Sequence, residues 1–532
     1  MRSLSHRSSA RNIPRCLQNG TIAASCKDYR LKLQWDFVGL LGARGAKLTL
    51  GLAMMFVYAR VFGASATYDA WIWALGIVNA AGMLLFGPIT ETIRASYASI
   101  DNREGEEAAE QYIATIAVIM IGGAILVAGA AALALPTLAT ALVPQQSGQA
   151  PAATFFLYAL APSLALSQVV AVLTAHLNCH GRVYAPEIAG TVGGCVGLAL
   201  IVTFPQLPAT WLLLGSYYVA LVMPLLVGAS FWPQLVRALL HLKGPAFRRH
   251  AREALGFSMP LLLPYALGQV GGVVERQYAL LAGTGALSIL SYAFFARNTV
   301  QAVFTAALSA LAVPALARTW NAEDIAPFRA TLTHWVRQCL MLVTIGMVAL
   351  FGLSDTIPPL LFGDNITGAQ QSLLSELLRF YAVAIVTVVL YLMGGSALLA
   401  ARRGKTYAAL GALASLVALA LLLALFPLIG IIAIPVGLTI SHALAAGLMF
   451  RAIDPADGWQ VLRDAALRIL VVVVAGSMLR GADTLLAAEF GLPGRLVAGG
   501  ALAILLAGLW WLAEHWLGRD TMRSTPTSQA LR

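Results

Sequence analysis

Five ionic side chains stand in stretches of this sequence that are otherwise apolar: Arg44, Lys47, Glu275, Arg276 and Arg297. An ion is costly in such surroundings, so each is a candidate functional group. Arg44 and Lys47 are three residues apart and share one face of a helix. Glu275 and Arg276 are neighbours. Pooled in one cavity, they set four cations against one carboxylate. Such a lining suits an anionic ligand, and the planar fork of arginine matches phosphate oxygens. Asp69, Asn79 and Arg182 are further polar positions suited to gating or structural contacts. His442 reads as a hydrogen-bonded packing residue, and Arg337 and Arg379 as cations reaching towards an interface.

Catalytic constellations are missing from this reading. The chain shows no glycine loop followed by Lys and Ser or Thr, no metal-binding helix pair and no nucleophile elbow. Hydrolysis or ATP-driven transport by this chain is not expected, and no cofactor or metal is. The five cysteines are scattered without ligand spacing or a disulfide framework. Coupling to ions or to the membrane potential is left open.

The elements that would position the ionic groups are long apolar helices. Hydrophobic residues make up 59% of the chain, charged residues 11%, and the mean hydropathy is +0.78. About 20 apolar residues cross a bilayer, and a backbone in lipid must satisfy its own hydrogen bonds. About 14 candidate spans follow, near 37–60, 70–94, 112–135, 152–176, 185–204, 209–231, 256–282, 286–317, 332–355, 373–400, 406–427, 430–450, 465–485 and 496–517. The expected class is an all-α integral membrane protein with two six-helix lobes and a C-terminal helix pair.

The gaps between spans alternate in charge. Arg94 to Arg103, Arg182, Arg237 to Arg252, Arg318 to Arg329, Arg402 to Lys405 and Arg451 to Arg463 are basic. Pro136 to Pro151, Pro205 to Pro208, Gly283 to Gly285 and Ile357 to Gln371 carry no Lys or Arg. Basic loops stay in the cytoplasm, which places both termini there. The net charge of +11 is explained by these loops and by anionic lipid, so nucleic acid is not an expected partner.

The expected organisation is a basic tail (1–36), an N-terminal lobe (37–232), an amphipathic cytoplasmic linker (233–254), a C-terminal lobe (255–452), a terminal helix pair (453–518) and a short tail (519–532). A weak internal echo supports two lobes. Tyr58-Ala59, Gly63 and Asn79 recur as Tyr278-Ala279, Gly283 and Asn298. Transporters commonly arise from such repeats, with substrate between them.

Several stretches carry a family likeness. Val274-Glu275-Arg276 with Leu280, Gly285, Leu287-Ser288 and Ser291-Tyr292-Ala293 resembles the seventh and eighth helices of MurJ/MviN-type flippases. Tyr58 to Gly63 with Asp69-Ala70 and Asn79 is similar to their first hairpin. Leu177-Asn178 with Arg182 and Pro186, Pro314 to Arg318, Leu361 to Gly363 and Lys405-Thr406 match further landmarks, over about residues 40–450. The resemblance implies a bacterial inner-membrane flippase for polyprenyl-diphosphate-linked sugars, with arginines in a central cavity. The chain departs from the family where cavity cations are common: Met54, Gly82 and Phe295 stand there instead. The favoured reading is therefore export of a lipid-linked oligosaccharide for an exopolysaccharide or other envelope glycan. The alternatives are the peptidoglycan lipid II flippase itself, and a non-transporting scaffold of a glycan-export complex. Expected partners are the lipid-linked glycan, membrane lipids and glycan polymerase or export proteins.

Overall fold

The computed structural model describes residues 42 and 45–508, with breaks at 143–148, 183, 229–231, 241–243, 308–311, 321–323, 364, 455–456 and several positions beyond 486. The expected basic tail, Arg44 and most of the last span lie outside the described residues. Every described element is helical, as the apolar runs require. In order these are α1 (residues 45–61), α2 (Ala66–Glu104), α3 (Glu106–Leu142), α4 (Ala150–Cys179), α5 (Tyr184–Thr203), α6 (Ala209–Val227), α7 (Trp232–Leu240), α8 (Gly244–Leu281), α9 (Ala286–Ala307), α10 (Val313–Thr319), α11 (Ala326–Gly352), α12 (Ile357–Phe362), α13 (Gly368–Ala400), α14 (Gly404–Ile429), α15 (Ala433–Ile453) and α16 (Asp457–Leu486).

The first thirteen expected spans overlap described helices, although the eighth, 286–317, covers both α9 and α10 with 308–311 between them outside the described residues. Among the described residues, nine helical runs are long and apolar enough to cross a membrane, and one bent pair makes a tenth. One of the nine, Gly404–Ile453, holds two expected spans, α14 and α15, joined by a 3₁₀ turn at Gly430–Ile432. The bent pair is α8, which turns by 60° between Gly244–Met259 and Leu261–Leu281. Pro260 stands at the bend, where its missing N–H interrupts the hydrogen-bond ladder.

One expected gap is helix. Arg94 to Arg103 forms the last turns of α2, because nothing breaks the helix before Gly105, which takes φ +94°. The expected linker is the short helix α7 followed by the first turns of α8.

The helices pack in two groups. α2 lies along α3 and α4, and α5 pairs with α6. α13 sits at the centre of the other group, against α9, α11 and α15. α8 bridges them, touching α2 and α3 on one side and α14 and α9 on the other. Small residues permit the closest approach: a Cβ on Gly197 would meet the Ser216 carbonyl oxygen of α6 at 2.9 Å. Backbones pack this tightly in lipid only through such residues.

The charge alternation has a spatial counterpart. Residues of the uncharged gaps meet at one end of the molecule. Gln149 and Gly285, from two of these gaps, both donate to Asp69, at 3.3 and 2.5 Å, and Arg60, a cation outside the gaps, donates to the Leu360 carbonyl at 2.9 Å. Residues of the basic gaps meet one another elsewhere: Arg249 pairs with Glu104 at 2.6 Å, Arg103 with Glu253 at 3.1 Å, and Arg329 with Asp454 at 3.0 Å. Both glycines of the internal echo end a helix with positive φ, +59° at Gly63 and +129° at Gly283.

Candidate substrate cavity between the helix groups

The central cavity is about 550 Å³ and is walled by α8, α9, α14 and α15, with Ile72 of α2 closing one side. Glu275, Arg276 and Arg297 all line it, with Ser291, Asn298 and His442. α8 carries Glu275 and Arg276 beside Gly268, Gly271 and Gly272, whose lack of side chains opens the space. Arg276 donates to the carbonyl of Gly272 one turn back, at 2.9 Å. Its side chain runs across α2 at Gly76, where a Cβ would lie 2.5 Å from the arginine Cδ. Gly76 is thus the recess that lets a cation cross between helices. One turn of α2 away, the indole N–H of Trp73 donates to the Gln277 side chain at 2.9 Å and fixes α2 against α8.

Arg297 reaches the cavity from α9, with its guanidinium 5.6 Å from the ring centre of Phe294. Its Nε is buried and takes no hydrogen-bond partner. Glu275 feels the charge of both arginines. The cavity therefore gathers two guanidinium groups and one carboxylate, with two hydroxyls, two amides and one imidazole around them. Phe294, Phe295, Leu287, Leu419 and Leu422 supply the apolar wall.

The structure does not bring all the expected cations together. Lys47 lies on α1, largely exposed, and pairs with Glu187 of α5 at 3.1 Å. It belongs to a contact between helices outside the cavity lining. The reason is that Glu187 stands near enough to neutralise it, a pairing 140 residues apart that no local pattern announces. Conversely His442 does line the cavity, where sequence reasoning gave it a packing role. Its Nδ1 lies 3.0 Å from the Leu438 carbonyl oxygen, and its ring sits edge-on to Tyr391. Of the three positions where the family commonly has cations, Phe295 is in the cavity wall. Gly82 instead faces Leu164 and Gln168, and Met54 approaches Gly194 of α5.

Asp69 joins α2 to α9 where the uncharged gaps meet. It is fully buried and accepts four hydrogen bonds. The Gly285 N–H donates at 2.5 Å, the Ser288 N–H at 2.7 Å, the Ser288 hydroxyl at 2.5 Å and the Gln149 amide at 3.3 Å. Gly285 and Ser288 form the N-terminus of α9, so a carboxylate from α2 caps a helix more than 200 residues away in sequence. Asn79 is exposed on α2 and Arg182 is exposed in the turn after α4; neither lines the cavity.

One cluster of possible ligand atoms lies outside the cavity, although the sequence reading expected no metal-binding helix pair. His176 and His180 stand one turn apart at the end of α4, and both face Glu110 of α3. The histidine spacing was visible. The carboxylate 66 residues upstream was not.

With fold and cavity in place, comparison with known proteins becomes specific. A curated relative, the lipid II flippase MurJ of Burkholderia cenocepacia, is 23% identical over 451 residues, 80% of this chain and 85% of the relative. A solved lipid II flippase MurJ in an inward closed conformation shares the fold with a TM-score of 0.68 at 16% identity, covering 90% of this chain and 99% of that one. An inward-facing multidrug resistance MATE family transporter of the MOP superfamily follows with a TM-score of 0.63 at 12% identity, covering 80% and 95%. The sequence profile described as lipid II flippase MurJ matches residues 58–496, most of the chain, and the protein belongs to that family of multi-pass membrane flippases.

Proposed function

We propose that this protein moves a polyprenyl-diphosphate-linked saccharide of the lipid II class across the bacterial inner membrane, with both termini in the cytoplasm. The observation that carries the proposal is the pair Arg276 and Arg297 in one cavity between the two helix groups, with the family match over residues 58–496. Sequence reasoning favoured an exopolysaccharide glycan, but the family match and the curated relative support the lipid II alternative better.

The diphosphate would sit against the two guanidinium groups, each charge-assisted contact contributing roughly 1.5–3 kcal/mol. That offsets the cost of taking the anion out of water. The prenyl tail would remain in lipid while the saccharide crosses through the cavity. Transport follows as the helix groups rock about α8, opening first the end of the basic contacts and then the end latched by Asp69. A membrane potential supplies about 2.3 kcal/mol per charge per 100 mV.

A different envelope glycan is the second reading. Phe295 favours it, because an apolar ring occupies a wall position where the family commonly has a cation. Expression in a strain depleted of its own lipid II flippase separates the two. Restored growth supports the first reading. No growth at normal protein level, with a lipid-linked glycan accumulating when this gene is deleted from its own host, supports the second.

A further inference from the structure

We propose that Glu110, His176 and His180 form a binding site for a divalent transition-metal ion, with Zn²⁺ the best fit. The site is separate from the central cavity and independent of what the protein transports. His180 Nε2 lies 3.3 Å from Glu110 Oε1, and His176 Nδ1 lies 3.6 Å from Glu110 Oε2. One donor atom from each residue can be chosen so that all three lie within 4.8 Å of one another. Tetrahedral zinc with bonds of about 2.0–2.1 Å sets its ligand atoms roughly 3.3–3.5 Å apart, close to these separations.

The surroundings orient the ligands as a metal site needs. His180 Nδ1 lies 2.9 Å from the His176 carbonyl oxygen, so its proton resides there and the Nε2 lone pair faces Glu110. The Tyr97 hydroxyl donates to Glu110 Oε1 at 3.0 Å and holds the carboxylate. Glu110 Oε2 is buried and takes no hydrogen bond. His176 is buried, while His180 and Glu110 remain partly open to a cavity of about 520 Å³ bounded by Arg237 and Ala238 of α7. An ion could enter by that route and keep a water in its fourth position. Two imidazoles and one carboxylate are borderline nitrogen and oxygen donors, which favour zinc over calcium or magnesium. Both imidazoles must be unprotonated at the ligating nitrogen, so protons compete with the metal. The bound ion would clamp the start of α3 to the end of α4, beside the helix that leads into α8.

The test uses the full chain in detergent, stripped with a chelator and titrated above neutral pH with Zn²⁺ against a coloured zinc indicator. The parent should bind one equivalent and unfold at a higher temperature with zinc than without. Glu110→Gln and His176→Gln should each bind roughly tenfold more weakly or worse, and should lose the thermal shift. Co²⁺ bound to the parent should give the intense visible bands of four-coordinate cobalt, a readout that stands even where a variant fails to fold. No stoichiometric binding by the parent, or binding and spectra unchanged in folded variants, would overturn the assignment.

Discussion

Asp69→Ala tests the alternating-access reading at its most exposed point. The carboxylate joins α2 to the N-terminus of α9, and its loss strands the backbone N–H groups of Gly285 and Ser288. The Ser288 hydroxyl can turn elsewhere, but the two amides cannot while this end stays closed. A stranded buried donor costs about 1–3 kcal/mol, so the closed end loses roughly 3 kcal/mol relative to an opened, hydrated one. At 1.4 kcal/mol per tenfold, that is a shift of roughly 150-fold towards opening. Asp69→Asn should fall between, since one amide oxygen replaces two acceptors. The assay places a cysteine at Ser291, a cavity position, in a cysteine-free background. An impermeant thiol reagent is applied to the face opposite the basic contacts, and labelling rates are compared. Labelling that depends on a rare opened state scales with its population, so Asp69→Ala should react much faster than the parent. Equal rates at equal protein level would refute the latch.

Gly76→Leu should displace Arg276 from its recess and abolish export, although the protein still reaches the membrane; export at the parent rate would show that the recess is dispensable. Arg276→Ala should likewise abolish export, whereas Arg402→Ala should leave it within about twofold, since an exposed loop cation contributes little; equal effects would make Arg276 structural. Glu104→Arg should weaken the contact of α2 with Arg249, and Arg249→Glu in the same chain should restore export. Failure of the double variant to recover would deny that this pair sets the conformational balance. Gly197→Leu should destabilise the α5–α6 pair and lower the protein's abundance; unchanged abundance would show that their close approach is not needed.

The apolar helices were legible because burial in lipid imposes one simple rule on composition, and the first thirteen expected segments overlap described helices, nine or ten runs of which are long and apolar enough to cross a membrane. Helix ends were less legible. α2 runs through Arg103 because charged residues continue a helix well once it has left the membrane, and only Gly105 stops it. Arg276 and Arg297 could be found because an arginine in an apolar stretch needs a reason. Lys47 had such a reason in Glu187, which only the packing of α1 on α5 reveals. Asp69 was a gating or structural candidate and part of the family likeness, but its partners at Gly285 and Ser288 follow from the contact of α2 with α9. Gly76 was indistinguishable from any other glycine, because its role depends on a side chain from another helix. The Glu110, His176 and His180 cluster escaped for the same reason: its members converge only when α3 lies along α4.

The central claim is that the cavity around Arg276 and Arg297 carries a diphosphate-linked saccharide across the membrane. The most direct measurement reconstitutes the purified chain in vesicles loaded with fluorescent polyprenyl-diphosphate saccharide of the lipid II type and follows its arrival at the opposite leaflet. The account predicts translocation by the parent and none above empty vesicles by the Arg276→Ala, Arg297→Ala double variant, with equal amounts of folded protein inserted. Undiminished translocation by the double variant would contradict it.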